Sequence, residues 1–125
     1  MKQRRRAGHP FLYQRDDPAK FLLGLDGVDM QRNAEGTALI GDPRNDSHVL
    51  ISQLYLAMLK PHNAFVDKTQ LSGAANDRVF DEAARQLRWH YQWSVLNELL
   101  PALVGERLED RVLREEHAVS RTELE

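Results

Sequence analysis

Two stretches with helical periodicity, residues 49–67 and 77–103, carry apolar side chains on more than one side, and this limits the possible folds more than anything else in the chain. From Val49 onward, Ile51, Leu54, Tyr55, Met58 and Phe65 recur at helical spacing, while Leu50, Leu56, Ala57, Leu59 and Val66 fill other faces. Asp46 or Ser47 is placed to cap this helix, and Pro61 is expected to kink or split it near Lys60. In the second stretch Phe80, Ala83, Ala84, Leu87, Tyr91, Val95 and Leu99 trace one stripe, and Trp89, Trp93, Leu96, Leu100 and Leu103 trace another. Pro101 falls in its last turn and Gly105 is a natural stop. Two such helices cannot cover each other completely, and apolar surface left in water costs ~25 cal/mol per Å². Large exposed apolar patches are uncommon on monomers, so the pattern predicts a homo-oligomer, most simply a two-fold dimer.

The rest of the chain is shorter and more irregular in its signals. Residues 1–16 read as an extended arm: a basic, solvated tail over 1–8, then Phe11, Leu12 and Tyr13, which are apolar enough to dock. Asp17-Pro18 has the form of an N-cap followed by proline at the first helical position, which predicts a short helix from Pro18 to Leu23, ended by Gly24. Residues 24–47 are rich in Gly, Asn and Asp, with only Thr37-Ala38-Leu39-Ile40 apolar, and read as a long functional loop. Residues 106–119 fit a polar helix with Leu108, Val112 and Val119 on its apolar side, followed by a charged tail. No convincing strand is found. The expected fold is therefore all-α, one domain over 1–125 with two long core helices and shorter ones, in which 1–16 is the arm, 17–105 the core and 106–125 the C-terminal helix and tail.

Composition narrows the chemistry. The chain has 125 residues, a formal net charge of −2 and no cysteine. Near-neutral charge gives no general attraction to nucleic acid or an anionic membrane. Without cysteine there are no disulfides, thiol nucleophiles, iron–sulfur clusters or thiolate-ligated haem. No apolar run approaches the ~20 residues of a membrane-spanning helix, and the basic N-terminus is not followed by a secretory apolar segment, so a cytoplasmic location is expected.

Three blocks then carry a resemblance. Arg32-Asn33-Ala34-Glu35-Gly36-Thr37-Ala38-Leu39-Ile40-Gly41-Asp42-Pro43-Arg44-Asn45-Asp46 is similar to the Gly-Asp-x-Arg loop of the animal-type haem peroxidases, the peroxidase–cyclooxygenase superfamily. Ile51 to Asn63, ending Lys60-Pro61-His62-Asn63, resembles the family helix that ends in His-Asn. Phe80-Asp81-Glu82-Ala83-Ala84-Arg85 and Arg88-Trp89-His90-Tyr91-Gln92-Trp93, with Leu99-Leu100-Pro101 and Gly105, resemble the helix after it. Order and spacing agree from Asp16 to Gly105, about 90 of the 125 positions. A lone Gly-Asp-x-Arg would be a weak signal; three blocks in order are a strong one.

The resemblance implies a short bacterial member of the family. Its helical core would bind haem b, covalently or not, reduce hydrogen peroxide with a small electron donor, and act in the response to oxidative stress. It places Arg44 beside the haem on the peroxide side, where a fixed guanidinium stabilises charge on the departing oxygen. The plain structural alternative for Arg44 is a pair with Asp42 or Asp46. The family's distal Gln…Asp-His segment and its proximal iron-binding histidine segment have no counterpart here, so the cavity would be completed by oligomerisation. Ser47 stands where mammalian members carry a haem-esterifying glutamate, and His48 follows it near the haem edge. Five histidines are candidate iron ligands: His9, His48, His62, His90 and His117. His48 and His62 are singled out, although His62 matches a structural family histidine and a buried, hydrogen-bonded role suits it well. Arg32 is a candidate partner for a haem propionate, and Asp17 for a metal or a haem methyl ester, with a surface charge and a helix cap as their respective alternatives. A haem-free helical interaction module and a haem-storage protein are the competing functions.

Overall fold

A computed structural model describes residues 9–105; the basic tail over 1–8 and the helix expected over 106–119 lie outside the described residues. The described residues are mostly helical, as an all-α chain requires, and contain no strand. The chain divides into two units, Met1–Leu87 and Arg88–Glu125.

In the first unit, helix α1 spans Val49–Leu71. Its cap is neither Asp46 nor Ser47 but His48, whose Nδ1 accepts from the Leu50 amide at 3.2 Å. The helix passes through Pro61 without splitting and ends four residues beyond Asp67. Ser72 N donates to the Lys68 carbonyl, and Gly73, at φ +78°, takes the left-handed step that turns the chain away. The buried side of α1 is Ser52, Leu56, Leu59, His62, Val66 and Thr69. Helix α2 spans Asn76–Ser94 and brings Val79 and Ala83 against Val66 and Ala19, with Phe65, Ala74 and Phe80 packed around them. Fully burying a valine or leucine side chain stabilises by about 1.5–3 kcal/mol, so this small cluster is a substantial share of what holds the unit together.

Residues 18–23 do not form a helix. Asp17 Oδ1 accepts from Ala19 N at 3.1 Å and Lys20 N donates to the Asp17 carbonyl at 2.9 Å, so the aspartate closes a turn instead of opening a helix. The segment then runs extended, because Asn63 on α1 holds it. The Asn63 carboxamide accepts from Phe21 N at 2.8 Å and donates to Phe21 O at 2.9 Å. Tyr13 pairs with Phe21 in an isolated antiparallel bridge and stacks on its ring at 5.3 Å. Residues 10–16 are thus docked: Leu22 N bonds Leu12 O, and Gln14 N bonds Lys20 O. Two more bridges, Leu23 with Met30 and Arg32 with Ala38, fold residues 23–39 into tight turns. Gly24 is required there, since a Cβ would meet the carbonyl oxygens of Asp29 and Met30 at 2.7 Å.

The second unit begins within the last residues of α2. The helical path continues through one π turn, Val95–Leu99, where Leu100 N reaches five residues back to Val95 O, and into α3, Leu100–Val104. Pro101 explains the widened turn, because it has no N–H for an α-type bond and its ring crowds the preceding turn. Trp89, Tyr91, Trp93, Leu96, Leu99 and Leu103 are all exposed, so the surplus apolar surface expected from sequence is present. No helix among the described residues is long and apolar enough to cross a membrane.

Candidate functional site around the Arg44 turn

Asp42, Pro43, Arg44, Asn45 and Asp46 form a short 3-10 turn directly before α1. Proline takes its first position, and Asp42 Oδ1 accepts from the Arg44 amide at 3.0 Å. The same carboxylate grips the Arg44 side chain, with Nε 3.0 Å from both oxygens and Nη2 at 2.5 Å. This guanidinium, and then the Arg44 amide, hold the Asp42 carboxyl down at about 2. The Arg44 side chain is 87% exposed, and its Nη1 has no bond among the described residues. Among the described residues Arg44 thus presents one edge that makes no hydrogen bond. Of the two partners expected from sequence, Asp42 is the one that binds it.

Asp46 binds Arg32 instead. Arg32 Nη1 and Nη2 meet the two Asp46 oxygens at 2.8 and 2.7 Å, Nε meets Asp29 at 2.8 Å, Nη2 also faces Asp29 at 3.4 Å, and Nη1 donates to Gly36 O at 2.9 Å. A guanidinium has five N–H groups, and five bonds engage all of them. Its hydrogen bonds lower both the Asp46 and the Asp29 carboxyl below the usual carboxylate range. In this arrangement Arg32 has no donor left for a haem propionate.

The histidines are placed as follows. His48 is exposed at the head of α1. Because its Nδ1 accepts the Leu50 N–H, the neutral ring carries its proton on Nε2. Ligation through Nε2 would need that proton moved to Nδ1, which breaks the cap. His62 is 1% exposed, lies between the rings of Phe21 at 4.7 Å and Phe80 at 4.9 Å, and donates from Nε2 to Ala19 O at 3.1 Å. Burial depresses its pKa, with the Ala19 carbonyl opposing. Asp17 lines a cleft of about 390 Å³ with Asp16, Pro18, Ala19, Gln70, Asn76 and Val79. Both Asp17 oxygens are engaged, Oδ1 with Ala19 N and Oδ2 with Gln70 Nε2 at 3.0 Å. Among the described residues no group of three or more metal-binding side chains comes together.

Arg44 and His48 therefore flank one turn, Arg32 braces that turn from behind, and Asp17 and His62 belong to the packing of residues 17–23 on α1. Asp29 is the member sequence reasoning missed; nothing local to it signals a guanidinium partner three residues on. Beyond the turn, Val49, Leu50, Ile51 and Leu54 expose apolar surface on the first turns of α1. The Arg44 turn thus leads directly into exposed apolar residues at the start of α1. No protein-family model, no curated protein and no solved structure matches the chain.

The cap makes a prediction that separates two roles of His48. His48→Asn should keep α1 capped and leave the melting temperature nearly unchanged, because Asn is a strong N-cap. His48→Ala should destabilise by about 1 kcal/mol in a thermal melt. Equal melting temperatures for His48→Ala and wild type would remove the cap from the account.

Proposed function

We propose that this chain is a haem-binding, peroxidase-like protein in which the Arg44 turn and the first turns of α1 form the peroxide side of a haem b site. The observation that carries the reading is the exposed Arg44 guanidinium, gripped by Asp42 in the turn that runs into the exposed apolar residues at the start of α1, within the segment that resembles the family's arginine loop. Haem b, when bound, supplies the redox chemistry. The overall reaction converts one hydrogen peroxide to two waters with two electrons and two protons from a small donor. Arg44 stabilises negative charge on the departing oxygen, and Asp42 keeps the guanidinium in one orientation while it does so. Leu50 and Leu54, one turn apart on the exposed side of α1, cover porphyrin surface and exclude water.

In this reading the Arg44 turn and α1 form one wall, and a second polypeptide completes the cavity and supplies the iron ligand. A second copy is the simplest source, and the uncovered apolar residues of α1 and of the Trp89–Leu103 segment are in keeping with it. Haemin titrated into purified protein should give a saturable Soret band, and the loaded species should sediment as a dimer or larger. A titration with no saturable spectral change would sink the haem reading and leave a haem-free interaction module, for which the same uncovered helix faces speak.

A further inference from the structure

We propose that Arg32, bridging Asp29 and Asp46, is the positioning group of the Arg44 turn. The turn has no buried residue, so apolar packing does not fix it. Polar contacts must do so, and they fall into two kinds. The Asp42–Arg44 contact is local, two residues apart, and sets the guanidinium relative to the turn itself. The Arg32–Asp46 contact spans 14 residues and sets the turn relative to the rest of the unit. At one end the turn runs straight into α1, whose buried side anchors it. At the other, Arg32 ties it to residues 29–39, where Leu39 N bonds Gln31 O at 2.7 Å and Asn33 N bonds Thr37 O at 2.9 Å.

The planar fork explains why arginine serves here. One edge meets Asp46 in a two-point contact, Nε and Nη2 meet Asp29, and the remaining Nη1 hydrogen takes Gly36 O. A lysine ammonium is a point donor and cannot hold two carboxylates and a carbonyl in those directions. Exposed single ion pairs contribute little to stability, so the expected consequence of losing this brace is a displaced Arg44 and not an unfolded chain.

The peroxide part of this inference rests on the haem reading above; the positioning part does not. The test uses the full chain without haem. Arginine side-chain ¹⁵N NMR follows the Nε–H of Arg44 in wild type, Asp46→Asn, Arg32→Lys and Asp46→Glu. Asp46→Asn and Arg32→Lys should sharply lower the Arg44 Nε–H heteronuclear NOE and speed its exchange with water, while amide protection from Leu56 to Val66 stays as in wild type. Asp46→Glu, which keeps the carboxylate, should recover most of the wild-type signal. A role in stability alone would lower the melting temperature and leave the Arg44 signal where it is; an unchanged Arg44 Nε–H in both Asp46→Asn and Arg32→Lys overturns the proposal. In haemin-loaded protein, Asp46→Asn should keep haemin affinity within about twofold and slow reaction with peroxide about 10-fold or more. Equal peroxide rates would also overturn it as a statement about the reaction. Failure of wild type to take up haemin would defeat the haem reading alone, with the NMR comparison still deciding the brace.

Discussion

His62→Ala should destabilise the chain strongly, by on the order of 3 kcal/mol, or roughly 10–20 °C in the melting temperature of a domain this size. The ring fills the space between Phe21 and Phe80 and is 1% exposed, so its removal leaves a cavity between two aromatic side chains. The Ala19 carbonyl loses its donor as well. An uncompensated buried acceptor adds about 1–3 kcal/mol to a packing loss. The effect also has a pH signature. Burial lowers the His62 pKa in the folded state, so the unfolded chain takes up the proton first as pH falls. Stability from this site is complete above the unfolded value of about 6.5 and is lost as pH drops from there toward the depressed folded value. Wild type should therefore lose melting temperature between pH 7 and pH 5 more steeply than His62→Leu, which cannot titrate. Parallel pH profiles for the two proteins would show that His62 has the same pKa in the folded and unfolded chain, which removes this burial effect.

Arg44→Ala in haemin-loaded protein should lower the rate of reaction with hydrogen peroxide by roughly 10²–10³-fold, the usual loss when a single charge-stabilising group is removed from an active site. Haemin affinity should change far less, because the exposed apolar residues Leu50 and Leu54 are untouched. Arg44→Lys should fall between the two, since lysine keeps the charge but not the planar contact with Asp42. The haem-free protein should melt within about 0.5 kcal/mol of wild type, as expected for an exposed side chain away from the core. A peroxide rate for Arg44→Ala equal to that of wild type would take Arg44 out of the chemistry.

The two long helices were legible because apolar residues recur at helical spacing for many turns. Their buried faces were less so. The expected stripe on α1 ran through Ile51 and Leu54, yet both are exposed, and the buried side is Ser52, Leu56, Leu59, His62, Val66 and Thr69. Half of that face is polar, so a search for apolar periodicity passes over it. His62 is the clearest case, since the carbonyl that satisfies it is 43 residues away. α1 runs to Leu71, and the end read from the sequence fell short, near Asp67, because Lys68, Thr69 and Gln70 carry no apolar signal to mark the extension. Pro61 was expected to interrupt it; the helix continues because Leu56, Leu59, His62 and Val66 bury one continuous face on both sides of the proline. Asp17 was read as the N-cap of a helix; its carboxylate accepts the Ala19 N–H, but in a turn. The same carboxylate geometry serves a turn, and what decides between them is Asn63, 42 residues distant from Phe21.

The Arg44 turn was readable as far as one guanidinium and one nearby acid. Which acid binds it was not, because Asp42 and Asp46 both lie two residues from Arg44. The choice is made by Arg32, which takes Asp46 and leaves Asp42 to Arg44.

Asn63 imitates a peptide group. By offering one oxygen and one N–H to the main chain at position 21, it does for the 17–23 segment what a neighbouring strand does for a sheet edge, with a single side chain standing in for a ladder. Attachment at position 21 therefore runs through the main chain and is available to any residue that carries a backbone N–H. Replacements of Phe21 are felt through the loss of its ring from the aromatic stack, while the segment itself stays fastened to the helix.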